Sequence, residues 1–316
     1  MSVTSPARVT DGMVLIPGGL FAMGANDAYP EESPVHNVEV DGFWIDPTAV
    51  TNAQFAAFVA ATGHVTLAEI VPRAEDYPGA LPEMLYAGSL VFKKTRGKVD
   101  TGDWSQWWEF RKGADWRHPY GPASSIDGLD DHPVVHVAYA DALAYATWAG
   151  KALPTEAEYE YAARGGLIGA TYAWGNVFRP GGKHMANTWQ GGFPYENTRE
   201  DGWETTAPVG SYPPNGYGLF DMIGNTWEWT QDWYARGHAA NEAKACCVPK
   251  NPRGPASGTI DPNVPDIPIP QKVLKGGSFL CAPSYCKRYR PAARHAEAID
   301  TSTCHVSFRC VVRAAG

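Results

Sequence analysis

The stretch GGSFLCAPSYCKRYRPAAR, Gly276 to Arg294, concentrates the side chains best suited to chemistry. Cys281 and Cys286 are separated by four residues. Gly276 and Gly277 precede them, and Lys287, Arg288, Arg290 and Arg294 follow with no acid among them. The thiolate is the nucleophilic and metal-ligating form of cysteine, and nearby cations favour it. Paired glycines let a backbone turn sharply or approach a ligand closely. Two soft thiolates without histidine pairs beside them suit Cu(I) better than Zn(II), which takes four ligands. Spacing alone leaves several readings open: two small buried hydrophobes, a short-loop disulfide, a metal clip or a reactive thiol pair. The cationic run equally reads as a solvated face.

The remaining cysteines divide differently. A strand over VSFRCVVR places Phe308, Cys310 and Val312 on one face and Ser307 and Arg309 on the other. Cys310 is therefore expected to be buried and structural, with His305 on the polar face. Cys246 and Cys247 diverge in an extended chain and do not jointly hold one metal; they and Cys304 carry no assignment.

Two loops are rich in hard oxygen donors. ANTWQGGFPYENTREDGW offers Asn187 and Asp201, and GLFDMIGNTWEW offers Asp221, Asn225 and Glu228 around Gly224. Such donors on glycine-bent loops suit Ca²⁺, although neither loop has the EF-hand spacing. Hydrogen-bonded turns made by Asn and Asp are the alternative. HPVVHV would bring His132 and His136 to one face of a strand. No G-x-S-x-G elbow, H-E-x-x-H, P-loop or dinucleotide fingerprint is present.

These residues must be positioned by a loop-rich scaffold. There are 33 glycines and 26 prolines in 316 residues, well above the usual ~12%. Twelve tryptophans can bury a large area with few residues. Apolar residues make up 44% and charged residues 19%, as in an ordinary globular chain. A net charge of −8 argues against nucleic acid or an anionic membrane as the main partner. The apolar run near the start, Met13 to Ile16, is too short for a secretory signal, and no stretch could span a membrane. Six cysteines, all in the last quarter, do not form a disulfide framework. A cytoplasmic location is expected.

MVLIPGGLFAMG reads as strand, turn and strand, and VHNVEVDGFWID as further strand. TNAQFAAFVAATG reads as a helix capped by Thr51, buried through Phe55, Phe58 and Val59, and ended at Gly63. DALAYATWAG and TEAEYEYAARGG read as helices capped at Asp141 and Thr155, the latter with Glu158 in a capping box. KVLKGGSFL reads as strand. Residues 64–131 read as irregular, but DWSQWWEF is too aromatic to be left exposed. The expected organisation is a flexible lead over 1–12 and one α+β domain over 13–316.

The chain resembles the formylglycine-generating enzyme family, the sulfatase-modifying factors, from about Met13 to Arg313. The likeness lies in MVLIPGGLFAMG, HPVVHVAYADALAYATWAGKALPTEAEYEYAARGG, NGYGLFDMIGNTWEWTQDWY and GGSFLCAPSYCKRYRPAAR. The first recurs across a wider superfamily and identifies fold; the last is more specific to activity. The resemblance implies a C-type-lectin-like fold with little regular secondary structure. It implies oxidation by O₂ of a cysteine in an unfolded sulfatase polypeptide, within C-x-P-x-R, to Cα-formylglycine. Cys281 and Cys286 match the pair that binds Cu(I), with the substrate thiolate as third sulfur. Ser278 and Tyr285 would join them in catalysis, and Trp227, Arg288, Arg294 and His305 would line the substrate pocket. Structural calcium would fall on Asn187, Asp201 and the carbonyls of Thr188 and Trp203, and on Asp221, Glu228 and the carbonyls of Gly224 and Thr226. A monomer is expected.

The sequence departs from the family in HAEAIDTSTCHVSFRC. His305 stands where the family has asparagine, and Ser307 where it has glycine. Cys310 matches a cysteine that is disulfide-bonded in secreted relatives, but its partner position is Ala163, as suits a reduced protein. Asp221 replaces the usual asparagine, keeping an oxygen ligand and adding charge. Two alternatives stay open: a non-catalytic binding module on the same fold, or a relative oxidising another substrate.

Overall fold

The computed structural model describes residues 8–238, 248–263 and 265–314; Cys246 and Cys247 lie outside them. Its elements are short. Strands β1 (Val14–Ile16), β2 (Gly19–Met23), β3 (His36–Val40) and β4 (Phe43–Ile45) precede helix α1 (Asn52–Thr62). A hairpin follows, β5 (Gly88–Phe92) and β6 (Trp108–Lys112), then helices α2 (Tyr139–Trp148) and α3 (Glu156–Arg164). The chain ends with β7 (Trp227–Trp233), β8 (Gln271–Lys275), β9 (Arg294–Ala298), β10 (Val306–Ser307) and β11 (Val311–Arg313). This is the loop-rich α+β architecture expected from composition. No helix among the described residues is long and apolar enough to cross a membrane.

The sheet that frames the cysteines has the order β10-β7-β8-β9, with β10 parallel to β7 and the other pairs antiparallel. A second sheet, β1-β4-β11, joins the beginning and end of the chain. The pairs β2–β3 and β5–β6 stand apart. β1 and β2 therefore belong to different sheets although a Gly-Gly turn links them. Gly18 (φ 72°) makes the break, since a Cβ there would lie 2.6 Å from the Gly42 nitrogen.

Local signals place the helices. Thr51 accepts from the Gln54 N–H and Gln54 reciprocates in a capping box; Gly63 closes α1 in the left-handed region. Thr155 and Glu158 form the same box on α3. α2 differs from expectation: it begins two residues before Asp141. The Asp141 carboxylate instead accepts from the Ala138 N–H, and from the Leu67 N–H and His64 of a distant loop. A carboxylate three residues into a helix can serve the backbone before it and still pin a second segment.

Two expectations are corrected here. Residues 88–112, read as irregular, contain the β5–β6 hairpin. The VSFRCVVR strand is interrupted, and both of its faces are buried. Arg309 is fully buried because Glu228 receives it in a bidentate pair at 2.8 and 2.7 Å, while the Pro47 and Phe220 carbonyls take the remaining donors. Cys310 is buried and free, as expected.

A second buried charge cluster lies between α3 and β8. Glu160 accepts from Arg164 at 2.6 Å, Lys275 at 3.0 Å and the Gly24 N–H at 2.8 Å. Glu156 chelates Arg294 at 2.7 and 2.8 Å. Burial alone would raise the Glu160 carboxyl, but Lys275 and Arg164 outweigh it and hold it down to about 2. A depressed carboxyl stabilises the fold above its unfolded value of about 4.3, and that stability is lost as pH falls towards about 2. Acid titration followed by near-ultraviolet circular dichroism should show the wild type losing stability across that window, with Glu160→Gln lacking this part of the dependence.

Candidate functional site

β8 delivers the chain to Gly276 (φ 98°) and Gly277 (φ 76°). A Cβ on Gly277 would lie 2.7 Å from the Arg288 carbonyl oxygen, and one on Gly276 2.8 Å from the Tyr159 hydroxyl. The glycines thus fold the outgoing chain back against residues 287–289. Two turns follow: the Cys281 N–H donates to Ser278 O at 2.9 Å, and the Cys286 N–H donates to Ala282 O at 2.9 Å. They bring the two buried sulfurs to 3.2 Å. That is too long for a disulfide, about 2.05 Å, and both thiols are free. Gly277→Ala should destabilise the protein by about 1–3 kcal/mol. Gly97→Ala, which meets nothing within 4 Å, is the urea-denaturation control, and equal losses in both would contradict the reading.

The thiols are not equivalent. The Cys286 thiolate is favoured by the contact with Cys281, against burial and with help from Arg288, whose Nη1 lies 4.0 Å from its sulfur. Cys281, sharing that contact and fully enclosed, is pushed up, although a backbone hydrogen bond from Ser278 works the other way. Arg288 is fixed by Glu31 at 2.6 Å and lies over the Tyr29 ring at 3.9 Å. The other cations turn elsewhere. Arg290 pairs with Glu32. Arg294, expected in the pocket, is 3% exposed and belongs to the Glu156 cluster. It begins β9 and its side chain enters the core, which its neighbours in sequence did not reveal.

Tyr285, in the segment that joins the pair, is 41% exposed. It stacks on Phe193 (4.4 Å, 6°) and meets Trp107 edge-on at 5.6 Å. Trp107, Trp189, Phe193, Phe279 and Leu280 form one buried cluster there, which explains why DWSQWWEF cannot be left in solvent; Trp104 alone of its tryptophans is strongly exposed. Ser278 is fully buried, its hydroxyl accepting from the Leu280 N–H at 3.3 Å. Trp227 shares the core cluster of Cys281 and Cys286, stacks on His295 at 5.6 Å, and donates its N–H to the His305 carbonyl at 2.9 Å. The His305 ring packs against Trp108 at 4.9 Å, with Nδ1 2.5 Å from the Thr303 hydroxyl. Its crowded setting, then His295 and His136, pushes it down to about 3, so it is neutral at physiological pH.

The structure therefore brings together Cys281, Cys286, Ser278, Tyr285, Trp227 and Arg288, and reaches His305 through Trp227. The sequence reading missed Tyr29, Glu31 and Phe193. Only the third dimension joins Glu31 to Arg288 across 257 positions.

Among the described residues no group of three or more His, Cys, Asp or Glu side chains could hold a metal by itself. The thiol pair is thus a two-donor site needing a further ligand from outside. Its soft donors fit Cu(I) in kind. His132 and His136 do not meet. His136 bonds Ser89 and the Pro119 carbonyl, and His132 bonds Thr206.

The residues of the two oxygen-rich loops sit in several separate hydrogen-bond networks. Gln190 bridges the first, donating to the Thr188 carbonyl and accepting from the Asp201 N–H at 3.3 Å. Asp201 also accepts from the Trp203 N–H and the Tyr212 hydroxyl. Asn187 donates to Thr205 O and Asn225 Oδ1, so its own Oδ1 remains for another partner. In the second cluster Asp221 accepts from the Gly210 N–H at 2.8 Å, and burial pushes its carboxyl up to about 6. That under-compensated carboxylate fits a cation. Glu228 already pairs with Arg309, but each carboxylate oxygen retains a second lone pair.

Known proteins resemble this chain along nearly its whole length. The sequence profile described as "Sulfatase-modifying factor enzyme 1-like domain" matches residues 2–314. The "Formylglycine-generating enzyme" of Mycobacterium tuberculosis is 53% identical over 300 residues, covering 95% of this chain and 97% of the relative. The "Inactive C-alpha-formylglycine-generating enzyme 2" of Bos taurus is 43% identical, over 71% of this chain and 72% of the relative. Among solved structures, PvdO from Pseudomonas aeruginosa superposes with TM-score 0.60 at 25% identity, covering 96% of this chain and 94% of its own.

Proposed function

The chain belongs to the sulfatase-modifying factor enzyme 1-like family, and from that premise we propose that it oxidises a cysteine of an unfolded sulfatase polypeptide, in a C-x-P-x-R context, to Cα-formylglycine. The observation that carries the proposal is the buried thiol pair in the segment that also bears exposed Tyr285, at the positions where the family resemblance puts its active cysteines. Cys281 and Cys286 would hold Cu(I), which supplies O₂ chemistry when bound, and the substrate thiolate would complete the donor set. Burial excludes water from the sulfurs. Arg288 keeps Cys286 ready as thiolate, and Glu31 keeps Arg288 in place. Tyr285, Trp227 and His305 would receive the peptide. Ser278 would act by fixing the turn at Cys281. The conversion exchanges sulfur for oxygen and takes two electrons from the side chain. O₂ accepts four in all, so an external thiol must supply the other two, leaving H₂S, water and a disulfide. The free cysteines among the described residues suit a reducing compartment, the cytoplasm, and we propose a monomer. Cu(I) titration of the reduced protein should give one metal per chain, lost in Cys281→Ser.

Calcium would bind Asn187, Thr188, Asp201 and Trp203, and separately Asp221, Gly224, Thr226 and Glu228, pinning the loops between α3 and β7. A carboxyl raised to about 6 costs stability increasingly as pH climbs from about 4 and fully above about 6. At pH 8, metal-free Asp221→Asn should then be at least as stable as wild type, while losing part of the calcium-induced rise in Tm. A calcium response identical in both proteins would remove Asp221 from the ligands.

The non-catalytic reading is favoured by the existence of a relative named inactive. Retention of both cysteines opposes it, and failure to take up Cu(I) would support it. Oxidation of a different substrate is favoured by His305 and its neutral ring beside Trp108.

A further inference from the structure

A cleft of about 470 Å³ opens beside the thiol-bearing segment, and none of residues 278–286 lines it. Its size lies within the ~300–1,000 Å³ of small-molecule sites. Its walls are the loop Gly24–Tyr29, residues 169–172, Arg164 at the end of α3, and Lys287, Arg290 and Ala292.

A buried charge cluster lies behind this cleft. Arg164, Lys275 and Arg294 are buried together, and only two carboxylates, Glu156 and Glu160, pair with them. The cluster reaches the cleft at Arg164, whose side chain is 9% exposed. Its Nε and Nη2 are spent on Glu160 and the Gly24 carbonyl, and Nη1 has no partner among the described residues. Lys287 lines the same cleft and has no ion-pair partner among the described residues. Asn26 accepts the Val35 N–H with Oδ1 at 2.9 Å, leaving its Nδ2 to donate. Arg290 is neutralised by Glu32, and Asp27 is the single acid in the lining.

We propose that this cleft binds a small oxyanion, carboxylate or phosphate, through Arg164 Nη1, Lys287 Nζ and Asn26 Nδ2. Charge-assisted hydrogen bonds from a mostly desolvated guanidinium recognise such groups well. The occupant would also brace the thiol loop, because Tyr29 in the cleft wall accepts the Lys287 N–H at 3.2 Å and carries Arg288 on its ring. The proposal stands independently of the oxidation chemistry.

Isothermal titration of the full chain with inorganic phosphate and, separately, with succinate tests it, sodium chloride at matched ionic strength being the control. Saturable binding of either is expected. Phosphate alone would identify a phosphate-bearing ligand, and succinate alone a carboxylate. Arg164→Gln should abolish binding, but it also disturbs the buried cluster. Lys287→Ala and Lys287→Glu alter only an exposed side chain. The first should weaken binding roughly three- to tenfold, and the second should remove it. Binding no stronger than the chloride control, or undiminished in Lys287→Glu, would overturn the proposal.

Discussion

Cys286→Ser is expected to abolish aerobic conversion of a C-x-P-x-R peptide, by roughly a thousandfold or more. Serine keeps the shape of the side chain, so the turn closed by the Cys286 N–H and Ala282 carbonyl persists. What disappears is the soft donor and the thiolate that Arg288 and Cys281 favour. With one sulfur left and no third side-chain ligand among the described residues, the site can no longer clip a soft ion. Cys304→Ser is the matched control. Cys304 is also buried and free, but it packs with Trp107 and Trp189 rather than against a second thiol. Its replacement should leave conversion within a few-fold of wild type. Full activity in Cys286→Ser, measured by mass spectrometry of the peptide, would sink the two-thiol mechanism.

The largest expected stability effect lies at Arg309. Arg309→Met strands the Glu228 carboxylate, 1% exposed, without its partner. Removing one member of a buried pair typically costs about 3–5 kcal/mol, because the other charge stays desolvated. Three backbone carbonyls, of Asp46, Pro47 and Phe220, lose a donor as well. The double variant Arg309→Met, Glu228→Leu should recover part of the loss, since it removes the stranded charge. Urea denaturation of the three proteins measures this, and a single-variant loss below about 1 kcal/mol would contradict the account.

Much of this architecture could be read from local sequence. Thr51 with Gln54, and Thr155 with Glu158, announce α1 and α3 because capping is a short-range hydrogen-bond pattern. Gly276-Gly277 before Cys281 announced a sharp turn for a similarly local reason. Long-range choices were not legible. Asp141 looked like a cap and instead ties α2 to a loop more than seventy residues earlier. Arg309 looked like a surface residue of an alternating strand, until Glu228 turned it into core. Arg294 followed the cysteines in sequence, but Glu156 draws it away from them. In each case a charged side chain was placed by a partner that periodicity cannot reveal. The thiol pair was legible as a pair. Its polarity was not, because Glu31 and Tyr29, which hold Arg288 against Cys286, come from the other end of the chain.

The most direct test of the central claim is aerobic incubation of the copper-loaded, reduced protein with a C-x-P-x-R peptide and an external thiol, followed by mass spectrometry. The account predicts a mass loss matching replacement of the thiol by an aldehyde, together with reactivity towards a hydrazide or aminooxy probe. An unchanged peptide, from protein shown to carry one copper per chain, would contradict it.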